Sequence, residues 1–188
     1  MGYSTDAVRT VAIAGHGQTG KTTFIEQSLL AAGLIQKAET VDSGKTVSDY
    51  TPEEIDRKIS IYATLSHLPW KNAIVNCWDT PGSSDFIGEV IAAFRASELA
   101  IMMIDARSGV QIETIKLWRM LDRRNKPRIV FMNHMDDERA DFSRCVQDVH
   151  NQFEVEVCPV TIPMGKGSAI KGIIDVLHGV AYETSGGS

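Results

Sequence analysis

Gly15-His16-Gly17-Gln18-Thr19-Gly20-Lys21-Thr22 has the spacing of a phosphate-binding P-loop; it follows the apolar run Val11-Ala12-Ile13-Ala14 and opens a helical pattern. Glycines let such a loop curl until several amide N–H groups converge on one phosphate, and the positive end of the following helix adds to their field. Lys21 is expected to reach the β- and γ-phosphates, and Thr22, followed by Thr23, to set its hydroxyl on a magnesium ion bridging them. Strand, loop and helix stand in the order the motif requires, so an ordinary Gly-rich turn is the weaker reading. The expected ligand is a nucleoside triphosphate.

Outward from this loop, Phe24, Ile25, Leu29 and Ala32 recur at helical spacing and Gly33 supplies a stop. Residues 34–58 are polar and aperiodic, and a connection of that length in a compact domain is usually functional or mobile. Residues 59–65 alternate like a strand, Pro69-Trp70-Lys71-Asn72 reads as a hairpin turn, and residues 73–78 return antiparallel to the first strand. Residues 99–104 and 128–132 are short continuous apolar runs, the pattern of parallel strands covered on both faces. Helices are expected over residues 86–97, over the stripe Ile112, Ile115, Trp118 and Leu121, and over Phe142, Val146, Val149 and Phe153. This alternation predicts an α/β fold of the P-loop NTPase kind: a mostly parallel sheet with one antiparallel strand, helices on both faces and ligands at the carboxyl ends of the strands.

Beyond residue 156 the pattern changes. Residues 157–162 and 170–177 read as strands broken by Gly165-Lys166-Gly167, the start of a small inserted β-rich subdomain, and Ser185-Gly186-Gly187-Ser188 has the composition of an appended linker. The expected division is a nucleotide domain over 1–156, the beginning of the insertion over 157–184 and a linker over 185–188, all within a fragment of a longer protein.

The 188 residues are 43% hydrophobic and 23% charged, the composition of one soluble domain with a full core. No apolar run approaches the roughly 18 residues a bilayer demands, and the N-terminus lacks a secretory pattern, so a cytoplasmic, monomeric domain is expected. A net charge of −5 argues against independent nucleic-acid binding. The run Arg119, Arg123, Arg124, Lys126 and Arg128 falls where a helix ends and is read as a solvated face suited to the helix dipole. Cys77, Cys145 and Cys158 are odd in number and lack metal-ligand spacing, which reads as buried reduced thiols.

Two further motifs choose the base and the reaction. Asp79-Thr80-Pro81-Gly82 follows a strand; Asp79 is placed to hold magnesium through water opposite Thr22, and Gly82 to offer its amide to the γ-phosphate with no side chain in the way. Asn133-His134-Met135-Asp136 closes the next strand, where a carboxylate at Asp136 would accept from the N1–H and exocyclic amine of guanine. Adenine lacks that donor pair, so GTP and GDP with magnesium are the expected ligands.

In this order the motifs resemble the translational GTPases, in particular their elongation factor G branch. The resemblance rests on residues 15–23, on Arg57-Lys58-Ile59-Ser60-Ile61 against the family's Arg-Gly-Ile-Thr-Ile, on residues 79–86, on residues 133–136 against Asn-Lys-Met-Asp, and on residues 159–177 against the start of that branch's inserted subdomain. It implies a first switch over residues 34–62 with Ser60 on the magnesium, a second switch from Asp79 to about Ile91, catalytic roles for Lys21, Gly82 and Ser83, and the ribosome as partner. Ser83 stands where the family carries the histidine that orients the attacking water, and His134 where it carries a lysine along the guanine plane. The family's final Ser-Ala guanine loop is expected past the end of this chain, Gly167-Ser168-Ala169 resembling it in letters alone. A slow GTP switch of the same ancestry, a relative of peptide chain release factor 3 or of the ribosomal protection proteins, and a P-loop ATPase or kinase outside translation are the competing readings.

Overall fold

The computed structural model of the chain describes residues 3–183. Its centre is β1 (Val8–Gly15), in which Val11 to Gly15 are all buried. Successive side chains of a strand point to opposite faces, and here they seed two apolar clusters. Ala12 and Ala14 join Val90, Phe94, Ala100, Met102, Leu117 and Leu121 on one face, while Val11 and Ile13 join Ile25, Leu29, Leu68, Cys77 and Met103 on the other. Helices α3 (Ile87–Ala96) and α4 (Ile112–Asp122) supply the first cluster, and α1 (Lys21–Ala31) the second. The sheet is thus covered on both faces, as its continuous apolar strands require.

β1 pairs in parallel with β3 (Ala73–Asp79) on one side and β4 (Leu99–Asp105) on the other, Val11 facing both Cys77 and Leu99. β2 (Thr64–Trp70) pairs antiparallel to β3, and β5 (Arg128–Asn133) closes the order β2-β3-β1-β4-β5. The loops after β1, β3 and β5 carry the three motifs, so each motif sits at a carboxyl strand end.

Several local expectations are corrected. The first hairpin strand begins at Thr64 rather than at residue 59, and Pro69 and Trp70 lie inside it, opposite Ile74 and Ala73. The turn is Lys71-Asn72, with Lys71 at φ 53°. Pro69 is tolerated because β2 is an edge strand, where a missing N–H removes no ladder bond from the interior. The polar stretch before it holds a helix, α2 (Pro52–Arg57), closed by a full capping box: Glu54 N–H donates to the Thr51 hydroxyl and the Glu54 carboxylate accepts from Thr51 N–H. On α4 the buried stripe is Thr114, Leu117, Trp118 and Leu121, and Ile112 is exposed. Cys77 and Cys145 are buried free thiols as expected; Cys158 is exposed. The basic run is partly structural: Arg128 pairs with Asp122 at 2.7 Å and lies 4.5 Å over the Trp118 ring, while Arg124 donates to the Met120 carbonyl.

The chain divides into two compact units. One comprises the described residues up to Met103 with Glu113–Phe131; the other comprises Ile104–Ile112 with the described residues from Met132. The second unit has its own small cluster of Ala106, Ala140 and Cys145, against which Met132 and Met135 pack, and α5 (Phe142–Phe153), capped by the Asp141 carboxylate. Its tail forms an antiparallel sheet of β6 (Thr161–Met164), β7 (Gly172–Asp175) and β8 (Val180–Glu183), shorter than the two expected strands and with a third added. The expected linker over residues 185–188 lies outside the described residues. No helix among the described residues is long and apolar enough to cross a membrane.

Candidate functional site

The phosphate loop lies wholly in the first unit. Gly20 adopts a left-handed conformation (φ 86°) immediately before α1, and Phe24 N–H closes the first helical turn on the Gly20 carbonyl at 2.8 Å. Lys21 is buried, and its ammonium donates to the carbonyls of Gly15 (3.2 Å) and His16 (2.9 Å), which folds the side chain back across the loop. The Thr19 hydroxyl donates to the same His16 carbonyl at 3.0 Å. Burial pushes the Lys21 ammonium down to about 8, against the pull of Asp79 and Asp49. Such a cation gains most from an anion placed beside it.

Asp79, the last residue of β3, is 1% exposed, and no hydrogen bond of good geometry reaches either carboxylate oxygen. Burial pushes it up to about 6, with Lys21 and the hydroxyls of Thr22 and Ser48 leaning the other way. Asp49 is in the same condition, 4% exposed with no hydrogen bond of good geometry to either oxygen, and burial raises its pKa against the pull of the nearby Ser60 hydroxyl. The Ser48 hydroxyl is buried without a hydrogen bond, and the Thr22 and Ser60 hydroxyl oxygens lie 3.4 Å apart. Leaving buried carboxylates unpaired costs several kcal/mol each unless a cation joins them. The donor set is entirely hard oxygen, and cis ligands of an octahedral ion at about 2.1 Å sit about 3 Å apart, so these residues fit magnesium. Thr22, Ser60 and Asp79 were legible as candidates; Asp49 and Ser48 were not, because the stretch around them has no periodicity and no motif that points inward.

Gly82 is required sterically. A Cβ there would lie 2.6 Å from Gly17 Cα, 2.7 Å from Gly17 N and 2.7 Å from Lys21 Nζ, so no side chain fits between this turn and the phosphate loop. Thr80 anchors the same turn by donating to the Ile13 carbonyl at 2.7 Å. Ser83 then caps a short 3-10 turn, its hydroxyl accepting from Asp85 N–H at 3.3 Å. A small cavity beside it is lined by Gly15, Gly82, Ser83, Ser84, Glu113 and Lys116. Glu113 also makes an ion-pair contact of 3.1 Å with His16 Nδ1.

The base loop lies in the second unit. The Asn133 carbonyl accepts from Ala106 N–H at 2.9 Å, His134 follows in a left-handed conformation (φ 58°), Met135 packs inward and Asp136 is exposed. His134 Nδ1 lies 3.3 Å from Asp105 Oδ2, and Asp105 is clasped by the Arg107 guanidinium and backbone N–H. Burial alone would raise the Asp105 carboxyl, but the Arg107 hydrogen bonds outweigh it and hold the group below its ordinary value. Asp105 is a second neighbour of the base loop that no sequence motif marked.

Residues 6–183 match the family described as the elongation factor Tu GTP binding domain. The chain is 40% identical over 179 residues to an elongation factor G-like protein of Thermotoga maritima, covering 95% of this chain and 26% of that protein. It is 40% identical over 172 residues to elongation factor G 1 of Treponema denticola (92% and 25%), and 39% identical over 175 residues to the mitochondrial ribosome-releasing factor 2 of Candida dubliniensis (90% and 22%). A crystal structure of a Thermus thermophilus protein superposes with a TM-score of 0.90 at 32% identity, over 97% of this chain and 27% of that one. The chain therefore spans about a quarter of the length of the curated relatives it matches. Its motifs, its fold and these relatives agree, and the chain belongs to the translational GTPases, as an elongation factor G-like GTPase domain.

Proposed function

We propose that the chain binds GTP and GDP with magnesium and hydrolyses GTP slowly, as the nucleotide domain of a longer protein that works on the ribosome. The buried Lys21 beside two unpaired carboxylates is the observation that carries the reading, since a triphosphate and its magnesium would satisfy all three at once. In this reading the loop residues Gly15, His16, Gly17, Gln18, Thr19, Gly20 and Thr23 cradle the phosphates, Lys21 neutralises the β- and γ-phosphates, and the Gly82 amide meets the γ-phosphate. Thr22 and Ser60 hold magnesium directly, with Asp79 and Asp49 behind them; the ion, when bound, supplies charge neutralisation on the phosphates. Asn133 and Asp136 select guanine and His134 lies against its plane. The names of the relatives, two elongation factors and a ribosome-releasing factor, support the ribosome as partner. A cytoplasmic, monomeric domain without its own nucleic-acid face belongs to the same reading.

A second reading, a GTP-occupancy switch that hydrolyses little, is favoured by one observation: Ser83, a short uncharged side chain capping the turn through Asp85 N–H, stands where the family carries histidine. Single-turnover hydrolysis with and without ribosomes separates the two. Base choice is tested by competition and by one substitution. Excess GDP is expected to displace a fluorescent guanine nucleotide where excess ATP does not, and Asp136→Asn is expected to move preference toward xanthosine diphosphate. Undiminished GDP affinity in Asp136→Asn would remove Asp136 from the base site.

A further inference from the structure

We infer that Glu138 is a positioning residue for base recognition: it ties the end of the base loop to the turn Gly167–Ala169, so that Asp136 stays aligned with guanine. The inference rests on the reading of Asp136 as the guanine acceptor. The base loop is pinned at its start by Ala106 N–H to the Asn133 carbonyl (2.9 Å) and at its end by Asp141 N–H to the Ala106 carbonyl (3.3 Å). Between these points the chain is held by short-range bonds, Asp137 N–H to the His134 carbonyl (3.3 Å) and Arg139 N–H to the Asp137 carboxylate (2.9 Å). On its inner side the loop also meets Asp105 through His134 (3.3 Å) and Arg107 through Asp137 (3.8 Å), and Met135 packs on the Ala106 cluster; none of these contacts holds it on the side of the tail. Glu138 supplies the tie on that side: its Oε1 accepts from Ser168 N–H at 3.0 Å and from the Ser168 hydroxyl at 2.6 Å. A parallel tie runs from Lys166 to Asp141 at 3.3 Å, while the other Asp141 oxygen caps α5.

The close approach is written into the turn. Gly167 is buried at φ 55°, and a Cβ there would lie 2.6–2.8 Å from the Glu138 carboxylate atoms. Only glycine both adopts that conformation cheaply and leaves the carboxylate its place. Asp136 stands two residues before Glu138, and two residues of chain reach at most about 7 Å, so restraining one restrains the other. The letters Gly167-Ser168-Ala169 thus do touch the nucleotide machinery, through Glu138 rather than through the base.

The test is release of N-methylanthraniloyl-GDP, chased with GDP, together with the affinity ratio of GDP to inosine diphosphate, which lacks the exocyclic amine that Asp136 reads. Glu138→Ala and Ser168→Ala are expected to speed release about three- to tenfold and to lower that ratio, the range of a charge-assisted hydrogen bond at a partly solvated site. The double variant is expected to release no faster than Glu138→Ala, and Glu138→Gln to recover part of the loss. A general loss of stability would lower both affinities and leave the ratio alone. Unchanged release and ratio in Glu138→Ala, or effects of the two substitutions that simply add, would overturn the inference. If Glu138→Ala does not fold, Ser168→Ala and Gly167→Ala decide the matter by the same readouts, and no change in either overturns it. Asp136→Asn run alongside tells the two failures apart: a switch to xanthosine with an inert Glu138→Ala sinks the positioning role alone, whereas no switch sinks the base reading beneath it.

Discussion

Ser83 carries a hydroxyl on one carbon, and that hydroxyl already caps the 3-10 turn behind it through Asp85 N–H. Phosphoryl transfer is catalysed chiefly by placing water and offsetting charge, and a short, uncharged side chain does neither at a distance. Restoring a histidine should therefore help. Ser83→His is expected to raise single-turnover GTP hydrolysis on ribosomes by about tenfold or more at matched nucleotide occupancy, within the hundredfold or so that one positioned group contributes. An unchanged rate would mean that the water is placed by another route, with Ser84 and Asp85 the neighbouring candidates. At this scale the sequence was most informative where a motif fixes both residue type and spacing, as at Lys21, which is buried in the loop, and Gly82, where no side chain fits. It was silent at Asp49, Ser48 and Asp105, whose surroundings are set by burial and by residues distant in the chain.

Between residues 34 and 63 two buried carboxylates hold the backbone: Glu26 accepts from Glu39 N–H (2.9 Å) and Val47 N–H (2.6 Å), and Glu54 secures the later part. Glu54 has no exposed surface and accepts from Thr51 N–H (3.1 Å), the Thr51 hydroxyl (2.8 Å), Ile61 N–H (2.9 Å) and Tyr62 N–H (3.1 Å). It caps α2 and, in the same stroke, fixes the segment that delivers Ser60. Burial pushes its pKa up, but these hydrogen bonds outweigh burial and hold it below the ordinary 4.5. A depressed carboxylate stabilises the fold above its ordinary pKa and loses that contribution as pH falls through the lowered value. Wild type is thus expected to lose stability more steeply than Glu54→Gln in denaturant titrations below pH 4.5, and Glu54→Gln to cost about 1–3 kcal/mol at pH 7 with faster amide exchange at residues 59–63. Parallel pH profiles for the two proteins would refute this. The helix was legible after all, since Thr51-Pro52-Glu53-Glu54 spells a capping box with proline at its first position; polarity without an apolar stripe concealed it. The displaced strand next to it has a similar cause. Residues 59–63 alternate, yet Glu54 and the Glu89 carboxylate, which accepts from Ala63 N–H at 2.8 Å, occupy backbone groups a ladder would need.

Across the whole molecule, the parallel sheet was legible because β1 and β4 bury both faces and therefore read as unbroken apolar runs. The tail sheet was read less well: β8 exposes every residue, so nothing in its composition separates it from a loop. The two ends of the main sheet also differ in a way that bears on handling the protein. On β2, Pro69 interrupts the outer row of donors, whereas β5 ends the other side with no proline and with Ile129 and Phe131 standing 52% and 38% exposed. An apolar strand with an open row of amides is a template for another strand. Concentrated solutions of this chain by itself are thus expected to self-associate through β5 and not through β2. Ile129→Lys should raise the concentration at which light scattering first grows, a charge on the solvent side of β2 should leave it where it was, and the reverse pattern would assign stickiness to the proline-bearing side.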